Sequence, residues 1–312
     1  MTRTTIFSMI LSTVLVVAET GPLAAQPPNA NRFLQAFRDK VSVKVDMEYA
    51  KAGAVSLTLD VYKPMESAQE LLPCIVWIHG GGWQSGNKSS GLQRVGKWVA
   101  SGEYVGVSVG YRLTDVASWP AQIHDCKAAI RYLRAKSAEL GIDPDRIGVW
   151  GSSAGGHLVS LLGTSGDVPE LDGDLGVTGV SSQVTCVVDF CGPSDFLRFT
   201  RDNPGESSEG RPVYKLFAGP LEERLDAAKQ ASPATHVSKN DPPFLIVHGT
   251  EDKTVPLDQA LSFYELQKKA GMDSTLLKIE GMGHGIGGPD VEKTVKDFFD
   301  KHLKASPSLG SK

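Results

Sequence analysis

The sequence predicts an α/β protein built on one roughly eight-stranded, mostly parallel sheet, with helices on both faces and a small cap insertion. Three patterns predict it. Two segments of alternating apolar and polar residues open the folded region, six short and continuously apolar runs follow, and stretches with apolar residues at three-to-four spacing separate most of those runs. The chain has 312 residues, 41% of them hydrophobic and 22% charged, enough apolar material for one substantial core.

Residues 42–49 and 56–62 alternate apolar with polar and read as an antiparallel hairpin turning at Ala52-Gly53-Ala54, with one face in solvent. The pattern changes after Lys63-Pro64. Residues 73–78, 104–109, 147–150, 184–190, 243–247 and 275–279 are almost wholly apolar, as strands covered on both faces require. Helical spacing occupies 93–101, 121–140, 154–163, 257–270 and 290–303, and Gly271 supplies a C-cap for the fourth of these. Two stretches break the alternation. Residues 164–183 are rich in Gly, Asp and Ser. Residues 196–241, with a helical segment at 220–230, follow the fourth buried run, on the side where ligand loops of open parallel sheets gather, and read as a partial cap.

The first residues read as a targeting segment. Arg3, an apolar run over 6–18 and the small-residue site Pro22-Leu23-Ala24-Ala25 predict an export signal over 1–25, cut after Ala25. The run is too short to span a bilayer comfortably, so no stable membrane anchor is expected, and the protein is expected to be periplasmic or secreted. An amino-terminal arm over 26–40, one domain over 41–305 and a flexible tail over 306–312 complete the organisation. The net charge of −4, without a Lys/Arg cluster, gives no footprint for nucleic acid. Cys74, Cys126, Cys186 and Cys191 read as small buried apolar residues; the last two, five apart in one strand, are too distant to bridge each other. No Cys/His spacing suggests zinc and there is no His-Glu-x-x-His, so neither a metal nor another cofactor is expected.

The chemistry begins at Gly151-Ser152-Ser153-Ala154-Gly155. Between a buried strand and a helix of small residues, a Gly-x-Ser-x-Gly pentapeptide forms a sharp turn that lifts its central serine clear of the sheet. A serine hydroxyl needs a base within reach and a third group to orient that base. Of seven histidines, His284 is the candidate base, because it lies in a Gly-rich loop just past the last strand. Asp252, in His248-Gly249-Thr250-Glu251-Asp252 past the preceding strand, is the preferred orienting acid. Glu251 is the adjacent alternative and Asp195 a weaker candidate. The order serine, acid, histidine matches one triad-bearing fold and neither the chymotrypsin nor the subtilisin order. His79-Gly80-Gly81-Gly82-Trp83 follows the first buried strand. Its glycine amides, with that of Ala154, can form an oxyanion hole. A phosphate cradle is the competing reading, and it fails because no Gly-Lys-[Ser/Thr] follows. Trp83, Tyr111 and Phe196, together with Trp119, are candidate pocket-lining residues for an aromatic or sugar group; ordinary packing explains them equally well.

These four motifs resemble those of an α/β-hydrolase of the esterase/lipase group with a His-Gly-Gly-Gly oxyanion loop. The chain is most similar to secreted carbohydrate esterases of the feruloyl-esterase-like and acetylxylan-esterase-like kind, over about residues 43–303. The resemblance implies Ser153 as nucleophile, Asp252 as acid and His284 as base, with the amides of Gly81, Gly82 and Ala154 holding the oxyanion. Residues 41–305 then form a catalytic domain with its cap insertion at 196–241. The implied reaction is hydrolysis of small acyl esters, acetyl or aromatic, on a small-molecule or carbohydrate partner. Ser152 stands where hormone-sensitive-lipase relatives typically carry Asp, which favours the carbohydrate-esterase branch and leaves the acyl specificity open. The alternatives on the same fold are an aryl formamidase, a peptidase of the prolyl-oligopeptidase group and a catalytically silent binding module.

Overall fold

The computed structural model describes Phe37 and residues 39–304. The expected export signal (1–25), most of the arm (26–40) and the tail (306–312) lie outside the described residues. Eight strands run in chain order: β1 (Val41–Ala52), β2 (Val55–Pro64), β3 (Leu72–Ile78), β4 (Val105–Val109), β5 (Ile142–Ser152), β6 (Cys186–Phe190), β7 (Phe244–Gly249) and β8 (Ser274–Ile279). The longer helices are α1 (Gly91–Val99), α2 (Ala121–Ala135), α3 (Ala154–Thr164), α4 (Phe196–Asp202), α5 (Pro212–Phe217), α6 (Leu225–Ala231), α7 (Asp258–Ala270) and α8 (Pro289–Phe299).

All eight strands join one sheet in the order β1-β2-β4-β3-β5-β6-β7-β8. β1 pairs antiparallel with β2, and β2 antiparallel with β4; every pair from β4 to β8 is parallel. Strand alternation divides the core in two. Cys74, Val76 and Ile78 of β3 belong to the core on the side covered by α2, α3 and α7, while Ile75 and Trp77 belong to the opposite side, with Leu92, Val95, Trp98 and Val99 of α1 and Val291, Val295 and Phe299 of α8. Burying such side chains on both faces contributes on the order of 1.5–3 kcal/mol each, which is why the central strands read as unbroken apolar runs. After β3 the chain crosses to β4 on one side, whereas after β5 it crosses to β6 on the other. That reversal opens a crevice at the carboxyl ends of β3 and β5, the place where open α/β sheets bind ligands.

Several boundaries differ from the sequence reading. β5 begins at Ile142, because the polar Asp143-Pro144-Asp145-Arg146 stretch extends the strand beyond its apolar part. The expected helix over 121–140 stops at Ala135, and residues 137–140 form a separate turn closed by Gly141 in the left-handed region at φ 69°. The helix read at 220–230 starts only at Leu225, after a tight turn over Leu221–Glu223. The stretch 164–183 holds only a one-turn helix, Pro169–Leu171. It is fastened by one face of α2: Lys127 donates to the Ser165 carbonyl, Arg131 to those of Asp172, Leu175 and Val177, and Arg134 to those of Ser181 and Gln183. All four cysteines are buried and free.

Candidate active site

Four loops meet at the carboxyl edge of the sheet, following β3, β5, β7 and β8. The β5 loop carries Ser153, whose backbone sits at φ 56°, ψ −121°, a region that a non-glycine residue occupies at a cost of about 1–3 kcal/mol. The surroundings hold it there. The Ser153 amide donates to the Phe190 carbonyl at 2.8 Å, and its own carbonyl accepts from the His157 amide at 2.9 Å as α3 begins. Gly155 is the tightest point of the turn: a Cβ there would lie 2.1 Å from the Ile78 carbonyl oxygen, so only glycine lets α3 close against β3.

His284 and Asp252 are brought together across 32 residues of sequence. The His284 Nδ1 lies 2.7 Å from Asp252 Oδ2. The other carboxylate oxygen accepts from the amides of Thr254 at 2.8 Å and Val255 at 3.0 Å. Burial alone would raise the Asp252 pKa, but hydrogen bonds from His248, His284 and these two amides outweigh it and hold the carboxyl well below the usual range. An ionised Asp252 fixes the proton of His284 on Nδ1 and leaves Nε2 as the free base. The loop bearing His284 crosses directly over the end of β7, where a Cβ on Gly249 would meet the Met282 carbonyl oxygen at 2.3 Å. Glu251 is exposed, and Asp195 instead caps α4 through the Arg198 amide at 3.0 Å, so the imidazole is paired with Asp252.

Ser153 and His284 flank the end of β6. Phe190 accepts from the Ser153 amide, and the Cys191 thiol lies 3.5 Å from the His284 carbonyl oxygen. No hydrogen bond joins the Ser153 hydroxyl to His284 among the described residues. Cys191, Asp252 and His284 form the one cluster of three metal-capable side chains among the described residues. Within it, the 2.7 Å hydrogen bond between His284 and Asp252 uses one imidazole nitrogen and one carboxylate oxygen.

The β3 loop lies against Ser153 at the switch point. Gly81 sits at φ 113° and Gly82 at φ 59°, backbone conformations that glycine adopts without a Cβ penalty. The amides of Gly81, Gly82 and Ala154 donate to no protein acceptor among the described residues. His79 anchors the entry to the loop: its ring stacks on Tyr111 at 4.4 Å, and the Tyr111 hydroxyl donates to the His79 carbonyl at 3.0 Å. The cap insertion touches the loop from above, through Pro212 beside Gly82 and a 2.8 Å bond from Lys215 to Gln84.

Trp83, Tyr111 and Phe196, expected to line a pocket, are instead buried. Phe196 has no exposed surface, and Trp83 and Tyr111 retain only 3% and 6%. For Trp83 and Phe196 the reason is His157, whose importance the sequence did not reveal, while Tyr111 is held against His79. Trp83 Nε1 donates to His157 Nδ1 at 3.2 Å, which leaves the ring's one proton on Nε2, 2.7 Å from the Ala231 carbonyl oxygen that accepts it. Phe196 packs edge-on against the same ring at 5.0 Å. Burial pushes the His157 pKa down to about 4, opposed by the Ala231 carbonyl. One neutral imidazole thus ties together the β3 loop, the helix behind the serine and the cap.

A sequence profile of the BD-FAE family matches residues 59–266. The chain belongs to the BD-FAE family. This family member is 30% identical over 241 residues to Esterase LipC of Mycobacterium tuberculosis, covering 76% of this chain and 58% of that protein. It thus spans little more than half the length of the curated relatives it matches, 56% of the probable carboxylic ester hydrolase LipM in the second case. Among solved structures, a truncated carbohydrate esterase from gut microbiota superposes with a TM-score of 0.76 at 31% identity, covering 85% of this chain and 98% of that one. Est2, a thermophilic esterase of Thermogutta terrifontis, superposes at 0.68 with 30% identity, covering 86% of this chain and 95% of that one. The fold of this BD-FAE member is the α/β-hydrolase fold of those esterases.

Proposed function

We propose that the protein is a serine carboxylic-ester hydrolase that cleaves small acyl groups, acetyl or aromatic, from carbohydrate or small-molecule esters. The observation that carries this reading is the 2.7 Å His284–Asp252 bond at the same sheet edge as the strained turn of Ser153. Ser153 Oγ attacks the ester carbonyl carbon while His284 Nε2 takes its proton. The amides of Gly81, Gly82 and Ala154 hold the tetrahedral oxyanion, an interaction for which each donor lost costs about 3–4 kcal/mol in comparable sites. His284 then protonates the departing alkoxide, leaving the acyl group on Ser153. Water, deprotonated by His284, attacks the acyl carbon; the Ser153 Oγ–acyl bond then breaks as His284 returns the proton to Oγ, releasing the acid.

The carbohydrate alcohol is supported by the gut carbohydrate esterase and by a bifunctional GH43-CE protein of Bacteroides eggerthii, 33% identical over 83% of this chain. The short acyl group is supported by Est2, which has propionate-bound and butyrate-bound forms. Export is proposed from the amino-terminal sequence, and no helix among the described residues is long and apolar enough to cross a membrane. Ser153→Ala tests the assignment: turnover of p-nitrophenyl acetate should fall to the buffer rate, and a variant that still hydrolyses it overturns the reading. A panel of acetylated xylan, methyl ferulate and p-nitrophenyl esters of rising length then ranks the acyl and alcohol groups.

A further inference from the structure

The mechanism above leaves one histidine at the site unassigned. His248 lies near the end of β7, four residues before Asp252, and none of it reaches solvent. Its Nε2 is 2.8 Å from the Val255 carbonyl oxygen and 3.4 Å from Asp252 Oδ2. Both neighbours are acceptors, so Nε2 carries a proton, directed mainly at the Val255 carbonyl, with Asp252 Oδ2 as the longer second contact. Nδ1 is buried with no partner among the described residues, and a proton there would be a donor without an acceptor, so the geometry fits the neutral Nε2–H ring. Asp252 Oδ2 thus faces two imidazole N–H groups, from His284 at 2.7 Å and from His248 at 3.4 Å.

We propose that His248 is a positioning residue: its Nε2–H fixes the Asp252 carboxylate and draws charge from the oxygen that His284 uses, keeping His284 a weaker base than Asp252 alone would make it. The proposal rests on the serine-hydrolase reading and deepens it. A donor to one oxygen competes with every other donor to that oxygen, so the imidazolium form of His284 is stabilised less while His248 is present.

The groups around the ring are few. Asp189 on β6 faces it and is itself buried, with its carboxylate accepting from the Ser160 hydroxyl at 2.9 Å and the Gly192 amide at 2.9 Å. Burial pushes the Asp189 carboxyl up, against these two hydrogen bonds. Lys278, opposite His248 on β8, is exposed. The Cys191 thiol is pushed up to about 12, by burial first and then by the charges of Asp189 and Asp252. Helix α7 turns only uncharged side chains, Gln259, Ala260, Phe263 and Gln267, into the core, and the one titratable side chain of α3, His157, is held by Trp83 and Ala231.

The test compares His248→Met, which removes the donor, with His248→Gln, whose amide can donate from near the Nε2 position. In kcat/KM for p-nitrophenyl acetate against pH, the Met variant should move the acidic midpoint upward by about half a unit, and the Gln variant should restore it. An active Met variant whose midpoint is unmoved, or moves down, overturns the proposal. If the Met variant does not fold, the wild-type enzyme labelled with 15N-histidine decides. His248 should show a protonated Nε2 and an unprotonated Nδ1, with the Nε2–H resonance shifting in Asp252→Asn; an unprotonated Nε2, or one indifferent to Asp252, overturns it. Fluorophosphonate labelling of wild-type Ser153 tests the underlying reading separately. Loss of labelling sinks the hydrolase assignment, whereas a labelled, active enzyme with an unmoved midpoint sinks only the role of His248.

Discussion

Replacing His157 with Phe keeps a ring of similar size and removes both nitrogens. At neutral pH the change leaves the Trp83 N–H and the Ala231 carbonyl unpaired in a buried site, at about 1–3 kcal/mol each. Acid works in the opposite direction. The folded-state pKa of His157 is about 4, below the ordinary 6.5. Between those values the unfolded chain binds a proton that the folded protein excludes, so the contribution of this residue to stability is full above pH 6.5 and falls as the solution is acidified towards pH 4. The slope is up to about 1.4 kcal/mol per pH unit, and across the gap it amounts to about 3 kcal/mol. Wild type should therefore exceed His157→Phe in stability at pH 7.5 and lose most of that lead by pH 4.5. Burial also pushes the pKa values of His79, His124 and His302 down, but they are common to both proteins and cancel in the difference. Urea unfolding followed by tryptophan fluorescence at four pH values between 4.5 and 7.5 measures it. Parallel pH dependences for the two proteins would refute the buried neutral ring.

Two further substitutions probe the site. Asp252→Asn keeps the shape but presents an amide to His284, favouring the wrong tautomer; kcat should fall by about 10³–10⁴-fold while the thermal midpoint shows the protein still folded. Unchanged turnover would exclude Asp252 as the orienting acid. Gly155→Ala would place a Cβ 2.1 Å from the Ile78 carbonyl oxygen, and unfolding should show a loss of about 3 kcal/mol or more, against less than about 1 kcal/mol if the elbow can relax.

The strands were legible because both faces of the sheet are covered, which leaves each central strand an unbroken apolar run. The candidate site was legible because Ser153, Asp252 and His284 stand at strand ends, within motifs whose glycines are dictated by backbone contact, as at Gly155 and Gly249. Residues 164–183 were not legible. Their backbone is satisfied by Lys127, Arg131 and Arg134 on a helix more than 30 residues upstream, and no local pattern encodes that. The short helices α4 and α5 carry little periodicity in six or seven residues. His157 and His248 were visible only as residues of a helix and a strand end, because their partners include backbone carbonyls, of Ala231 and Val255, which side-chain pattern does not show. The aromatic residues read as pocket lining face inward: Trp83 and Phe196 pack against His157, and Tyr111 against His79.

The central claim is that Ser153 carries the acyl group during turnover. Acid quenching of the protein during hydrolysis of p-nitrophenyl butyrate, followed by intact and peptide mass spectrometry, tests it most directly. One butyryl adduct should appear on the peptide containing Ser153 and vanish in Ser153→Ala. Sustained hydrolysis with no adduct, or with the adduct on another residue, would contradict it.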